Sequence, residues 1–195
     1  MRKLWVLLFV AIAAIALSGC GGLRYSETSP EAKDFHPKTI GILPVDVGYN
    51  SEARGVIDKI VADALLKKKW FDSVVTADAV SQRMATDEDL RKNVDNYLSK
   101  LKTVSFSDPQ LSQKIAEVFQ VEAVLIVRVD YWVYTKEKDD KVAKAGLDMK
   151  LVDTRSGNIE WKAGHHEARS YTLFKPTIDS VARDVVYKML GEFPH

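Results

Sequence analysis

His165, His166 and Glu167 are neighbouring side chains of the types that hold metal ions. Adjacent side chains on a strand point to opposite faces, so His165 and His166 cannot reach one ion, although His165 and Glu167 share a face. The chain has two further histidines, His36 and His195. A closed site would need remote carboxylates, so we expect no metal here and interpret the cluster as solvated hairpin residues.

Other catalytic arrangements are absent from the sequence. The acid pair Asp139-Asp140 lies in a charged segment that reads as a turn, where such residues discourage edge-to-edge strand pairing. The sequence contains no Gly-x-Ser-x-Gly elbow, no phosphate-binding glycine loop and no His-Glu-x-x-His helix. We therefore expect no catalytic residues, no cofactor and a protein that is not an enzyme.

Cys20 is the single cysteine of the chain and closes an apolar leader. The leader begins with Arg2 and Lys3, continues with apolar residues over 4–17 and ends in small residues, which is the three-part pattern of a secretory signal peptide. Its apolar stretch is shorter than the roughly 20 residues that cross a bilayer. The pattern therefore predicts a cleaved leader rather than a permanent membrane helix.

The run Leu17-Ser18-Gly19-Cys20 resembles the lipobox of bacterial lipoproteins. The resemblance implies that Cys20 receives a diacylglyceryl group, that cleavage precedes it and that the new amino terminus is acylated. Several acyl chains anchor a protein stably. Because Gly21 follows the cysteine where an aspartate would favour the inner membrane, the resemblance implies the inner leaflet of the outer membrane. An ordinary signal peptide with a chance cysteine is the alternative.

Composition divides the chain into three parts. Residues 1–19 are the predicted signal peptide, 20–38 are the lipidated cysteine and a flexible tether rich in Gly, Ser, Thr and Pro, and 39–195 form a single periplasmic domain. The chain has 28 basic and 27 acidic side chains, and its net charge is close to zero. A surface without a basic stripe argues against binding to nucleic acid.

Periodicity predicts the elements of the domain. A strand is expected at 39–45, a helix at 56–65 and a second strand at 73–76, then a short turn of helix from Asp78 through Met84, and helices at 87–101 and from Pro109. Three alternating strands over 123–134, 143–151 and 159–170 precede a last helix at 176–190. This order predicts an α/β (α+β) fold with one mixed sheet of about five strands and helices packed on it, in the order β-α-β-α-α-β-β-β-α.

One face of the strand that begins at residue 123 is the predicted partner surface. Strict alternation places Arg128, Trp132 and Tyr134 on one face, together with Asp130. Aromatic and arginine side chains are the usual anchors of protein interfaces. The alternative is that a helix covers this face.

Four segments of the chain resemble one group of proteins. They are the lipobox, the strand at 40–45, the helix-to-strand step at 119–125 and above all the hairpin at 151–161, which carries Trp161 on its second strand. These are small bacterial lipoproteins with a fold like the amino-terminal domain of TolB, including CsgG-like and LpoB-like proteins, and the chain is most similar to the neisserial vaccine-candidate lipoprotein family. The resemblance implies the fold more firmly than the function, because members activate a synthase, line a secretion pore or have no assigned activity.

The resemblance favours a non-enzymatic, membrane-anchored accessory or assembly subunit of an envelope or secretion complex. We expect an envelope protein as its partner, with assembly of several copies of the chain as an open possibility. The alternative function is a periplasmic binding or catalytic module for a small ligand or peptidoglycan, with its cleft near residues 44–49, where open sheets bind ligands beyond their strand ends.

Overall fold

A single six-stranded mixed sheet forms the middle of the molecule in the computed structural model, which describes residues 22–104 and 107–195. The strands are β1 (Tyr25–Thr28), β2 (Thr39–Ile42), β3 (Ser73–Val75), β4 (Ala123–Glu137), β5 (Asp140–Asp153) and β6 (Ile159–Tyr171). Their order across the sheet is β1-β6-β5-β4-β2-β3. The long strands β4, β5 and β6 form an antiparallel meander, and β2 is parallel to both of its neighbours.

Among the described residues, five α-helices pack on this sheet. They are α1 (Val56–Lys68), α2 (Ala77–Thr86), α3 (Glu88–Val104), α4 (Pro109–Phe119) and α5 (Ile178–Met189). The caps explain three of the starts: the side chains of Thr76, Asp108 and Thr177 accept hydrogen bonds from the first amide groups of α2, α4 and α5. Pro109 stands at the first position of α4, where a missing N–H costs nothing.

The two faces of the sheet bury separate hydrophobic cores. The first core lies under α1 and α5 and contains Ile57, Leu65, Leu147, Met149, Trp161, Val181 and Val185. The second lies under α2, α3 and α4 and contains Val80, Leu90, Val94, Tyr97, Ile115, Val124 and Val152. Because each large side chain in a core contributes roughly 1.5–3 kcal/mol when buried, both helical layers are needed to hold the sheet.

The predicted fold class is confirmed, with two differences in the count of elements. A complete ten-residue helix, α2, capped by Thr76, stands where a short turn of helix from Asp78 through Met84 was expected. The sheet has six strands rather than about five. The parallel pairing of the early strands agrees with the helical connections between them.

The sixth strand, β1, lies inside the segment 20–38 that composition assigned to a flexible tether, so that assignment is wrong from Tyr25 onward. The Trp161 indole N–H donates to Ser26 Oγ (3.1 Å), and the amide of Ser29 donates to the carbonyl of Glu160 (2.8 Å). A 3₁₀ helix at Pro30–Asp34 follows. The segment is polar because hydrogen bonds attach much of it to the sheet, and composition alone does not distinguish this arrangement from a spacer.

The lipidation residues Leu17, Ser18, Gly19 and Cys20 lie outside the described residues. Among the residues that are described, no helix has the length and apolar character needed to cross a membrane.

Candidate interaction surface

A β-bulge at Asp130 divides β4 into two halves. Val129 pairs with Leu147 of β5 and Tyr131 pairs with Gly146, so one extra residue of β4 stands between two consecutive residues of its partner. Side chains alternate along a strand, and an inserted residue inverts the alternation for everything that follows. Residues 131–137 therefore face opposite to the directions that strict alternation predicts.

The predicted surface of Arg128, Trp132 and Tyr134 does not exist as one face. Arg128 stands opposite Asp148, whereas Trp132 stands opposite Ala145 on the face of the first core, and its ring is partly buried there. Tyr134 follows on the same face as Trp132. The prediction of a shared face is wrong because the bulge lies between Arg128 and the two aromatic residues.

Tyr131 and Val133 lie on the face opposite to Trp132 and Tyr134, of which Tyr134 is itself 38% exposed. Tyr131 and Val133 are exposed, at 38% and 40% of their surface. The ring of Tyr131 crosses Gly146, where a Cβ would lie 2.6 Å from Tyr131 Cδ2. Lys144 Nζ lies 4.5 Å from the centre of the Tyr131 ring, and the His166 ring packs against it edge to face at 5.6 Å. We name Tyr131, Val133, Lys144 and His166 the outer patch.

Beyond the bulge, the outer edges of β4 and β6 have no paired strand among the strands that the structure describes. On one side, the pairing with the β2 segment ends at the bridge between Asp46 and Arg128. On the other side, the pairing of β1 with β6 ends where Tyr25 stands opposite Gly164. Strands with unpaired N–H and C=O groups can pair with another chain. Residues 131–137 and 165–171 therefore offer both side chains and backbone to a partner.

A cluster of polar side chains lies where the unpaired parts of β4 and β6 begin. Asp148 is only 7% exposed and accepts a hydrogen bond from the Tyr25 hydroxyl, and its Oδ2 lies 3.8 Å from the guanidinium of Arg128. Asp130, the residue in the bulge, forms ion pairs with Arg128 (3.1 Å) and Arg24 (3.2 Å). Arg128 is thus occupied by two carboxylates, and Asp148 on β5 connects Arg128 on β4 to Tyr25 on β1.

Burial and the neighbouring carboxylate raise the pKa of Tyr25 to about 12, because an ionised phenolate would lose hydration and repel Asp148. Burial acts to lower the pKa of Arg128, but the charges of Asp148 and Asp130 outweigh it and the pKa is raised. Both groups therefore keep their protons, the neutral phenol of Tyr25 and the cationic guanidinium of Arg128, over the physiological range.

The histidine cluster is arranged as the sequence predicts, but it is less solvated. His165 and Glu167 share a face, with His165 Nε2 3.1 Å from Glu167 Oε1, and His166 lies on the other face. Lys188 of α5 also donates a hydrogen bond to Glu167. Lys188 and His165 together lower the pKa of Glu167, because their effect outweighs that of burial. His165 is only 9% exposed, so the interpretation as solvated hairpin residues is wrong for it, since α5 covers this end of β6. Residues 22–104 and 107–195 contain no group of three His, Cys, Asp or Glu placed to hold a metal ion.

Clefts lie along the polar cluster and at the opposite end of the sheet. One cleft lies near residues 44–49, where the alternative function places its site. It is lined by Asp46, Lys102 and Arg128 and encloses about 50 Å³. An adjoining open depression beside Tyr25 and Lys162 encloses about 360 Å³. A third, of about 440 Å³, lies at the opposite end of the sheet. Ligand sites start at about 300 Å³, so the predicted cleft by itself is too small for such a ligand, whereas the two larger spaces reach that volume but are open to solvent.

No protein-family model matches this sequence, and no curated protein sequence is significantly similar to it. Solved structures do share its fold. The PelC dodecamer from Paraburkholderia phytofirmans is 14% identical, with a TM-score of 0.55 over 88% of this chain and 98% of that chain. Lipoprotein GNA1162 from Neisseria meningitidis is 16% identical, with a TM-score of 0.54 over 80% of this chain and 100% of that chain. The domain thus has a bacterial lipoprotein-like fold, as the resemblance to the neisserial family implied.

Proposed function

We propose that this chain is a lipid-anchored accessory or assembly subunit of a cell-envelope complex and that it is not an enzyme. Cys20 would carry the lipid after removal of residues 1–19, and the domain would lie in the periplasm at the inner leaflet of the outer membrane. The sequence pattern around Cys20 and the fold shared with lipoprotein GNA1162 support this location.

The outer patch with its two open edges is the observation that carries the proposal. Tyr131 and Val133 present apolar surface on a rigid strand, because the bulge at Asp130 and the ring contacts of Tyr131 fix their direction. Interfaces use aromatic residues as anchors and surround them with polar groups. Lys144 and His166 provide that polar surround. This arrangement is better suited to a protein partner than to a small molecule.

The partner could be a different envelope protein or another copy of the chain. The structure of PelC, which shares this fold, is a dodecamer, and this supports self-assembly as one form of the proposed function. Open edges on opposite sides of one meander also suit a head-to-tail contact, in which one edge of a copy meets the other edge of the next. The alternative of a small-ligand or peptidoglycan module has less support, because the predicted cleft encloses only about 50 Å³.

Crosslinking and capture from intact cells tests the proposal. Four forms would be compared: the native chain, Cys20→Ala, Val133→Glu and the matched control Val118→Glu. Val133 and Val118 are similarly exposed, at 40% and 43%, but Val118 lies on α4, away from the outer patch. Val133 is an exposed strand position opposite Lys144, which already pairs with Glu137 (2.8 Å); the new carboxylate would share this cation, so Val133→Glu should fold normally.

We expect the native chain and Val118→Glu to capture the same envelope proteins, or the same multimer of the chain. Cys20→Ala and Val133→Glu should both lose them. Unchanged capture by Val133→Glu would mean that the outer patch is not the binding surface. Failure of the native chain to capture any envelope protein or copy of itself would refute the accessory role.

A further inference from the structure

The connection between β6 and α5 presents two adjacent large apolar side chains to solvent. Leu173 is 88% exposed and Phe174 is 89% exposed. Single exposed apolar residues are ordinary, but a projecting pair in a short loop is a feature of surfaces that bind apolar partners. We name residues 172–177 the tip loop.

The tip loop is held in place. The Tyr134 hydroxyl donates to the carbonyl of Pro176 (2.9 Å), and Lys175 Nζ lies 3.4 Å from the centre of the Tyr134 ring. Tyr171 packs edge to face on Tyr134 at 6.3 Å. The fold therefore fixes the backbone of this loop while leaving Leu173 and Phe174 uncovered.

The direction of β1 relates the tip loop to the predicted lipid. Because β1 is antiparallel to β6, with Thr28 opposite Trp161 and Tyr25 opposite Gly164, the chain before Tyr25 enters the sheet from the end at which β6 terminates. The tip loop follows that same end. At about 3.3 Å per residue, the five residues from Cys20 to Tyr25 can span roughly 17 Å, and the part of β6 from Gly164 to Tyr171 spans roughly 23 Å. A lipid on Cys20 would thus be attached on the side of the sheet where the tip loop lies.

We propose that Leu173 and Phe174 insert into the same membrane leaflet that holds the lipid on Cys20; this rests on the anchor in the proposed function. The apolar pair would enter the acyl boundary. Tyr134 and Tyr171, which pack together beside this loop, are amphipathic rings of the kind that occupy the headgroup level, and Lys175 on the Tyr134 ring adds a positive charge that attracts lipid phosphates. A second contact beside the lipid attachment would set the orientation of the domain on the membrane.

A single labelled cysteine tests this contact. Cys20 is the only cysteine and lipid would occupy its thiol, so Leu173→Cys creates one reactive site on an exposed side chain. The matched control is Arg155→Cys, an exposed position in the β5–β6 turn at the other end of β6, roughly 40 Å away. Each full-length chain, processed and lipidated in cells, would carry an environment-sensitive fluorophore in vesicles of phosphatidylethanolamine and phosphatidylglycerol.

We expect the label at 173 to shift to shorter wavelength on vesicles and to be quenched several-fold more than the label at 155 by lipids with nitroxides near the headgroup. Equal, weak quenching at both positions on membrane-bound protein would overturn the tip-loop contact and leave the lipid anchor standing. A shift at 173 without vesicles that grows with protein concentration would overturn it in favour of a second copy. Mass spectrometry reads the lipid on Cys20 independently, and its absence would refute the anchor and the contact together.

Discussion

Replacing Tyr25 with Phe tests whether β1 is a working part of the sheet. The substitution keeps the ring that lies on Gly164 and removes only the hydroxyl, which donates to Asp148. Asp148 would then retain Arg128 at 3.8 Å, a distance too long for a hydrogen bond. Asp148, a carboxylate that is only 7% exposed, would thus lose the hydrogen bond that links β5 to β1 across β6.

The size of the effect follows from that loss. A hydrogen bond to a charged group contributes about 1.5–3 kcal/mol, and partial exposure of Tyr25 reduces this to about 1–2 kcal/mol. We expect Tyr25→Phe to lower the free energy of unfolding by that amount and Tm by roughly 3–6 °C for a domain of this size. The control Tyr49→Phe removes the hydroxyl of a fully exposed tyrosine and should change stability by less than about 0.5 kcal/mol.

Urea unfolding of the two variants measures the difference, and Gly164→Ala identifies its source. A Cβ at Gly164 would lie 2.8 Å from Tyr25 Cζ, so the alanine must displace the ring. In that background, Tyr25→Phe should cost almost nothing, which gives a coupling energy of about 1–2 kcal/mol. The native advantage over Tyr25→Phe should also shrink between pH 10 and about 12, because the raised pKa of Tyr25 stabilises the fold only while the phenol is protonated. If Tyr25→Phe unfolds at the same urea concentration as Tyr49→Phe, β1 does not contribute to the stability of the sheet.

Two further predictions concern the rest of the fold. Burial raises the pKa of Tyr97 to about 12, so ionisation of this residue should cost the native chain about 1.4 kcal/mol of stability for each pH unit from about 10 to about 12. The urea midpoint of Tyr97→Phe should therefore fall less steeply with rising pH than that of the native chain. An identical fall would contradict the raised pKa of Tyr97. Gly157→Ala should cost about 2 kcal/mol or more, because φ is +76° and the new Cβ would lie 2.9 Å from the Pro109 Cα. Gly48→Ala, at φ +52° with nothing within 4 Å, is its control and should cost only the backbone strain; equal thermal shifts for the two would refute the contact.

Regular periodicity made most of the fold predictable. Pro109 predicted the start of α4 to the residue, and alternation predicted all three strands of the meander. These signals are local, because a helix start or a strand face depends on residues close in sequence. The edge strand β1 was not predictable in this way. Its stability depends on Gly164, Asp148 and Trp161, which lie more than a hundred residues away.

The bulge explains why the candidate surface was predicted only in part. Up to Val129 the alternation holds, and one inserted residue then reverses the direction of every later side chain in β4. A single sequence contains little to locate such an insertion. The available signal was Gly146, since a glycine inside a strand pattern often marks a bulge or a close approach, and here the ring of Tyr131 crosses it. The tip loop had a comparable signal in Leu173 and Phe174, an apolar pair close to Pro176 where no helix or strand was expected.

The bulge and the tip loop together restrict where a partner can bind. Residues 131–137 project beyond the part of β4 that pairs with the β2 segment, and they extend toward the same end of the sheet as the tip loop. If that end rests on the bilayer, Tyr131 and Val133 lie within a few strand residues of the membrane surface. A soluble periplasmic protein would reach them only along the membrane, whereas another membrane-anchored chain would be held at that height. The two proposals therefore predict jointly that Cys20→Ala abolishes capture even though Val133 is intact, because the loss of the anchor removes the shared plane in which the surfaces meet.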